Sequence, residues 1–192
     1  EVIDALKLEK INLLGHSLGG YVSLAFAENF PEILESMTLF FSTTLADDEE
    51  KKQIRRRSIA VIDENFETFV KTSIPNLFSN NEKDILEGKI ELAKNIAKST
   101  DKEGVKAAQL GMAERPDRTE ILENLDAKIL IIAGKYDNAV KTENLLKIIP
   151  EKTNIKTYVL DCGHNGHWEK PTICAEIINT ELLHNMPKNL VF

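Results

Sequence analysis

The amino-acid sequence predicts an α/β fold: parallel sheet strands with flanking helices, interrupted by an inserted helical segment. Three observations carry that expectation. Four short apolar runs, at residues 11–14, 36–41, 128–133 and 155–160, are largely continuous rather than alternating, as strands buried on both faces of a parallel sheet require. Helical patterns lie between and after them, at residues 18–29, 140–149 and about 172–184. The stretch from about 45 to 120 is instead poor in strand signals, rich in Lys and Glu, and helical in period.

Taken in order, Val2, Ile3 and Leu6 recur at helical spacing, so residues 1–7 read as the last turns of a helix. The run 11–14 follows as a strand bounded by Gly15, and then a helix with Val22, Leu24, Ala25, Phe26 and Ala27 as apolar content, stopped by Pro31. Residues 36–41 are the second strand. The inserted segment divides into pieces marked by Ile54, Ile59, Val61 and Ile62, by Phe66, Phe69, Val70 and Ile74 ahead of Pro75, and by Ile85, Leu86, Ile90, Leu92, Ala93 and Ile96. The third strand ends at Gly134 and the fourth runs into Asp161-Cys162-Gly163.

A chain of 192 residues, 42% hydrophobic and 29% charged, can bury one sizeable core but not two. The expected organisation is a core over residues 1–44, a helical insertion over 45–120 and a returning core over 121–192. The net charge of -7 offers no basic footprint, and Arg55-Arg56-Arg57 follows Asp47-Asp48-Glu49-Glu50, so nucleic acid is excluded as a partner. Cys162 and Cys174 are too few for a disulfide framework and no apolar run reaches membrane length, which points to a cytoplasmic protein with no membrane partner.

Gly15-His16-Ser17-Leu18-Gly19-Gly20 sits where the first strand meets the first complete helix. Gly-x-Ser-x-Gly at such a turn lifts the serine hydroxyl above the sheet, and the glycines two residues to each side are expected to remove side chains that would collide with strand and helix. The backbone N–H of Leu18, at the helix start, is the candidate oxyanion donor. A serine hydroxyl is a weak nucleophile, so a histidine must lie within hydrogen-bond reach.

Four histidines are available. His16 adjoins Ser17 and should point elsewhere, and His184 lies near the C-terminus. His164 directly follows the fourth strand, where a loop can reach Ser17; His167, three residues on, is its rival. Asp137, in Gly134-Lys135-Tyr136-Asp137 after the third strand, is the acid expected to orient the imidazole, while Asp126 and Asp161 read as loop and strand-end residues. After the second strand, Ser42-Thr43-Thr44 offers no carboxylate before Asp47. Phe66, Phe69, Phe78 and Met112 read as helix core in preference to pocket lining, and Trp168 as packing.

These residues resemble the α/β-hydrolase superfamily, in particular its cofactor-free group with a helical cap that includes enol-lactonases, carboxylesterases and haloperoxidase-like proteins. The likeness rests on residues 15–20, on Gly111-Met112-Ala113-Glu114-Arg115-Pro116-Asp117, on residues 134–137, and on Gly163-His164 followed by Glu169 and Pro171. It implies His164 over His167 as the base, residues 45–120 as a cap whose lining selects the substrate, and no metal or organic cofactor. It also implies four strands and a second oxyanion donor ahead of the nucleophile strand, where this sequence has ten residues. The expectation is therefore the C-terminal portion of that fold, a poor catalyst by itself, with an open strand edge that self-associates.

The expected function is hydrolysis of a small, mainly apolar carboxylic ester or lactone through Ser17, His164 and Asp137. A non-catalytic ligand-binding or partner protein of the same fold, and lyase or perhydrolase chemistry on the same three residues, are the alternatives.

Overall fold

The computed structural model describes residues 1–183. A short helix α1 (Val2–Ala5) leads to strand β1 (Ile11–His16), helix α2 (Leu18–Asn29) and strand β2 (Leu34–Phe40). The helical segment follows as α3 (Glu49–Glu64), α4 (Phe66–Ser73), α5 (Lys83–Lys98) and α6 (Lys102–Glu114). Then come α7 (Glu120–Asn124), β3 (Lys128–Gly134), α8 (Thr142–Leu146), β4 (Ile155–Leu160), α9 (Gly166–Glu169) and α10 (Pro171–Ile178).

The four strands are parallel and lie in sequence order, β1-β2-β3-β4. Every strand therefore ends at one edge of the sheet, and the loops after residues 16, 40, 134 and 160 gather there. The continuous apolar runs have their reason in the two central strands. In β3, Ile129, Ile131 and Ala133 pack with Leu24, Leu39, Leu122 and Leu145 on one face, while Leu130 and Ile132 pack with Phe40, Phe41, Cys162 and Cys174 on the other. Among the described residues β1 and β4 each pair on one side only, and they are correspondingly less buried.

The helical segment starts where its sequence asks. Asp48 accepts the N–H of Lys51 at 2.8 Å, and Glu49 and Glu50 place negative charge on the first turn of α3. Asn65 caps α4 and Asp101 caps α6 in the same way. Pro75 has no N–H to continue α4, and the chain tightens into a 3-10 turn over Ile74–Leu77. The helix α6 is not among the marked pieces of the inserted segment, because Gly104 and Gly111 interrupt it and many of its apolar residues are Ala.

Other departures have local causes. The helix expected over 140–149 is confined to α8, because residues 137–140 are held in a turn by the Asp137 side chain and Pro150 disfavours helix at the residue before it. The C-terminal helix widens after Ile178 into a π turn over Asn179–Leu183; His184 lies outside the described residues. Phe78 is fully buried with Leu86 and Ile90, and Trp168 packs on that cluster, in line with the core and packing roles expected for both. Phe66 and Phe69 stack on each other at 6.3 Å and, like Met112, are half-buried. Among the described residues no helix is long and apolar enough to cross a membrane.

Candidate active site

Strand β1 carries Ser17 into the loop edge. Its N–H still donates to the Phe40 carbonyl at 3.0 Å, continuing the parallel ladder one residue beyond the strand. There the backbone turns sharply: Ser17 takes φ 52° and ψ -115°, a conformation that non-glycine residues rarely adopt and that costs on the order of 1–3 kcal/mol. The helix α2 begins at the next residue. The Ser42 hydroxyl donates to the Ser17 carbonyl at 2.8 Å and the Gly20 N–H donates to it at 2.9 Å, so the turn is held from both sides.

The glycines around it are not equivalent. A Cβ at Gly15 would lie 2.3 Å from the Gly19 carbonyl oxygen and 2.4 Å from Ser23 Oγ, and one at Gly20 would lie 2.3 Å from Ser42 Oγ. A Cβ at Gly19 would meet nothing within 4 Å. The steric need expected two residues to each side of Ser17 therefore holds at Gly15 but falls on Gly20 rather than Gly19 on the helix side. The reason is that Gly20 faces the Ser42 loop and Gly19 faces outward.

The side chains of Ser17, His164 and Asp137, each following a different strand, form a line with His164 in the middle. His164 Nε2 lies 2.7 Å from Ser17 Oγ, and His164 Nδ1 lies 2.8 Å from Asp137 Oδ2. The His164 and Asp137 side chains are 3% and 1% exposed. Asp137 is itself fixed, its Oδ1 accepting the N–H of Ala139 at 2.7 Å and of Val140 at 2.8 Å. An imidazole donating from Nδ1 to the carboxylate presents an unprotonated Nε2 to the hydroxyl. That arrangement can take the hydroxyl proton, hold the resulting imidazolium beside an anion and return the proton to a leaving group.

The rejected candidates fall elsewhere. His167 turns its ring toward His16 at 4.6 Å between centroids and not to Ser17, and its buried Nδ1 has no partner among the described residues. Asp161 pairs with Lys135 at an exposed site, and Asp126 precedes β3, at the opposite end of the strand from Asp137. Asp47 is buried in an ion-pair cluster with Arg55 and Arg115. Lys51, on α3, reaches from beside Asp47 to the carbonyl of Ala139 at 2.6 Å, so the helical segment touches the acid loop. A cavity of about 340 Å³ lies there, lined by Thr43, Lys51, Arg115 and Asn138 among others but not by Ser17 or His164.

Leu18 opens α2, so its N–H, one residue after Ser17, is one of the donors that a helix start leaves without an intrahelical acceptor. His16, expected to point elsewhere than Ser17, directs its Nε2–H to the backbone carbonyl of His164 at 3.1 Å. Burial, the dominant influence, lowers its pKa from 6.5 to about 4. Sequence reasoning had placed His16 in the motif but had no signal for the partner, which is 148 residues away.

A family model described as alpha/beta hydrolase fold matches residues 1–171. Among curated proteins, the chain is 27% identical over 191 residues to a Bacillus subtilis (strain 168) protein provisionally named 2-succinyl-6-hydroxy-2,4-cyclohexadiene-1-carboxylate synthase, covering 93% of this chain and 68% of that protein. It is 26% identical over 176 residues to an Escherichia coli 2-hydroxy-6-oxononadienedioate/2-hydroxy-6-oxononatrienedioate hydrolase, covering 88% of this chain and 60% of that one. Among solved structures, a thermophilic esterase from Thermogutta terrifontis superposes with a TM-score of 0.87 at 31% identity, covering 95% of this chain and 68% of that one. The chain thus spans about two thirds of the length of the proteins it matches.

Proposed function

Because the chain belongs to the alpha/beta hydrolase fold family, we propose that it cleaves a small, mainly apolar carboxylic ester or lactone by acyl transfer through Ser17. The observation that carries this reading is the pair of hydrogen bonds, 2.7 Å and 2.8 Å, that link Ser17, His164 and Asp137 in a line.

Ser17 attacks the ester carbonyl as His164 Nε2 takes its proton. Asp137 holds the imidazole in the required tautomer and offsets its charge, and the Leu18 N–H donates to the oxyanion. His164 then protonates the leaving alkoxide, and a water activated by the same imidazole hydrolyses the acyl-enzyme. The similarity to an esterase at 31% identity supports the ester class. Residues 45–120 serve as the cap in this reading, and the protein works in the cytoplasm, where Cys162 and Cys174 stay free, as they are here.

The test is a burst of acyl-enzyme on p-nitrophenyl butyrate. A burst of one equivalent in the wild-type chain that vanishes in Ser17→Ala supports the proposal; steady turnover that survives Ser17→Ala overturns it. A second reading, a non-hydrolytic reaction on the same three residues, is favoured by the relative named as a synthase. Self-association through the open side of β1 belongs to the same proposal, since among the described residues that strand pairs with β2 alone.

A further inference from the structure

Glu169 is a carboxylate that the chemistry above leaves without a task, yet it is 7% exposed. Both of its oxygens lie 3.0 Å from the N–H of Gly163, the residue before His164, and 3.3 Å from the N–H of Ser79, in the helical segment. Burial is the dominant influence on it and pushes its pKa up despite the two N–H donors. Apolar side chains could fill such a site at less cost, but they could not bridge two backbone donors from different parts of the chain.

The bridge lies within a larger seam. The Asn165 N–H donates to the Leu77 carbonyl at 3.0 Å, Lys170 pairs with Glu82 at 2.7 Å, and Lys89 donates to the Trp168 carbonyl at 2.5 Å. Backbones touch at Gly163, where a Cβ would lie 2.5 Å from Ser79 N and 2.7 Å from the Phe78 carbonyl carbon. The peptide groups around His164 are thus held at successive points: the Gly163 N–H by Glu169, the His164 carbonyl by His16 and the Asn165 N–H by Leu77.

We propose that Glu169 is a positioning residue for His164: it locks the loop of residues 163–169 onto residues 77–79 in the one register that brings His164 Nε2 to Ser17. The helical segment therefore sets the alignment of the imidazole. A displacement of reacting groups by about 1 Å can cost on the order of 100-fold in rate, so a carboxylate that touches no substrate has leverage on chemistry.

The inference rests on the proposed hydrolytic role of Ser17, and two measurements on the full chain separate them. In the first, acylation of Ser17 by p-nitrophenyl butyrate is followed in wild type, Glu169→Ala and Glu169→Gln across pH. Glu169→Ala should slow acylation by roughly 10- to 100-fold with the half-saturating ester concentration of the burst phase unchanged and move the acid limb of the pH profile, and Glu169→Gln, which keeps one acceptor oxygen, should recover most of the rate. In the second, the His164 imidazole is titrated by nitrogen-15 NMR, which needs no turnover. A changed His164 titration in Glu169→Ala, largely restored in Glu169→Gln, supports the proposal even in a chain that does not acylate, the result that would sink only the hydrolytic reading. Unaltered His164 titration and an unaltered pH profile in both variants would overturn it, as would a lowered melting temperature with unchanged chemistry. Should Glu169→Ala fail to fold, Glu169→Gln and Glu169→Asp carry the same comparison.

Discussion

His16 donates its Nε2–H to the backbone carbonyl of His164 at 3.1 Å, so the residue before the serine grips the peptide of the residue that faces the serine. The end of β1 and the loop after β4, on non-adjacent strands, are thereby tied together beside Ser17. The tie has a pH signature. His16 is held neutral in the folded chain, with its pKa lowered to about 4, while the unfolded chain binds a proton below about 6.5. Its contribution to stability is complete above pH 6.5 and is lost as pH falls toward 4, amounting to about 3 kcal/mol at most. Urea unfolding at pH 7 and pH 4.5 should show a smaller acid-induced loss for His16→Gln than for wild type; equal losses would remove His16 from the account.

Asp137→Asn tests the orienting carboxylate. The amide retains an oxygen for the Ala139 and Val140 N–H groups, so the loop should stay folded, but it presents no anion to His164 Nδ1. Turnover of an activated ester should fall by on the order of 10³- to 10⁴-fold with the melting temperature nearly unchanged.

Gly15→Ala and Gly19→Ala make a matched pair. The first places a methyl 2.3 Å from the Gly19 carbonyl oxygen and should destabilise the chain by about 1–3 kcal/mol and reduce acylation of Ser17. The second meets no atom within 4 Å and should be tolerated. Thermal melts and burst amplitudes of the two variants would reveal a reversed order at once.

Asp47 ties the start of the inserted segment to its first helix through Arg55 and to its last stretch through Arg115. Burial by itself would raise the pKa of its carboxyl, but Arg55 and Arg115 outweigh that and hold it below the usual range. The Asp47 and Arg115 side chains are 1% and 7% exposed, so Asp47→Ala leaves two guanidinium groups poorly compensated in the interior. The expected cost is about 3–5 kcal/mol, read as a shift of the urea midpoint.

The open side of β1 predicts concentration-dependent association. Sedimentation velocity over a hundredfold concentration range should resolve a dimer or larger species that Leu14→Lys weakens, since a charge on an exposed strand opposes edge pairing. A wild-type chain that stays monomeric throughout would end that proposal.

The sequence by itself determined the order of the four strands and the loops that carry Ser17, Asp137 and His164. Short apolar runs between helical patterns mark strands, most plainly β2 and β3 where both faces are covered, Gly15 has a steric reason where strand meets helix, and Asp137 and His164 follow strands whose ends share one edge. These are local or periodic signals, and local physics writes them into the chain. The tertiary structure alone decided the contacts between loops: His16 on His164, Glu169 between Gly163 and Ser79, Lys51 on Ala139, and Gly20 rather than Gly19 against Ser42. Each joins segments whose separation along the chain carries no periodic trace. The Glu169 carboxylate was visible in its motif, but its task depended on which backbone donors folding would bring to it.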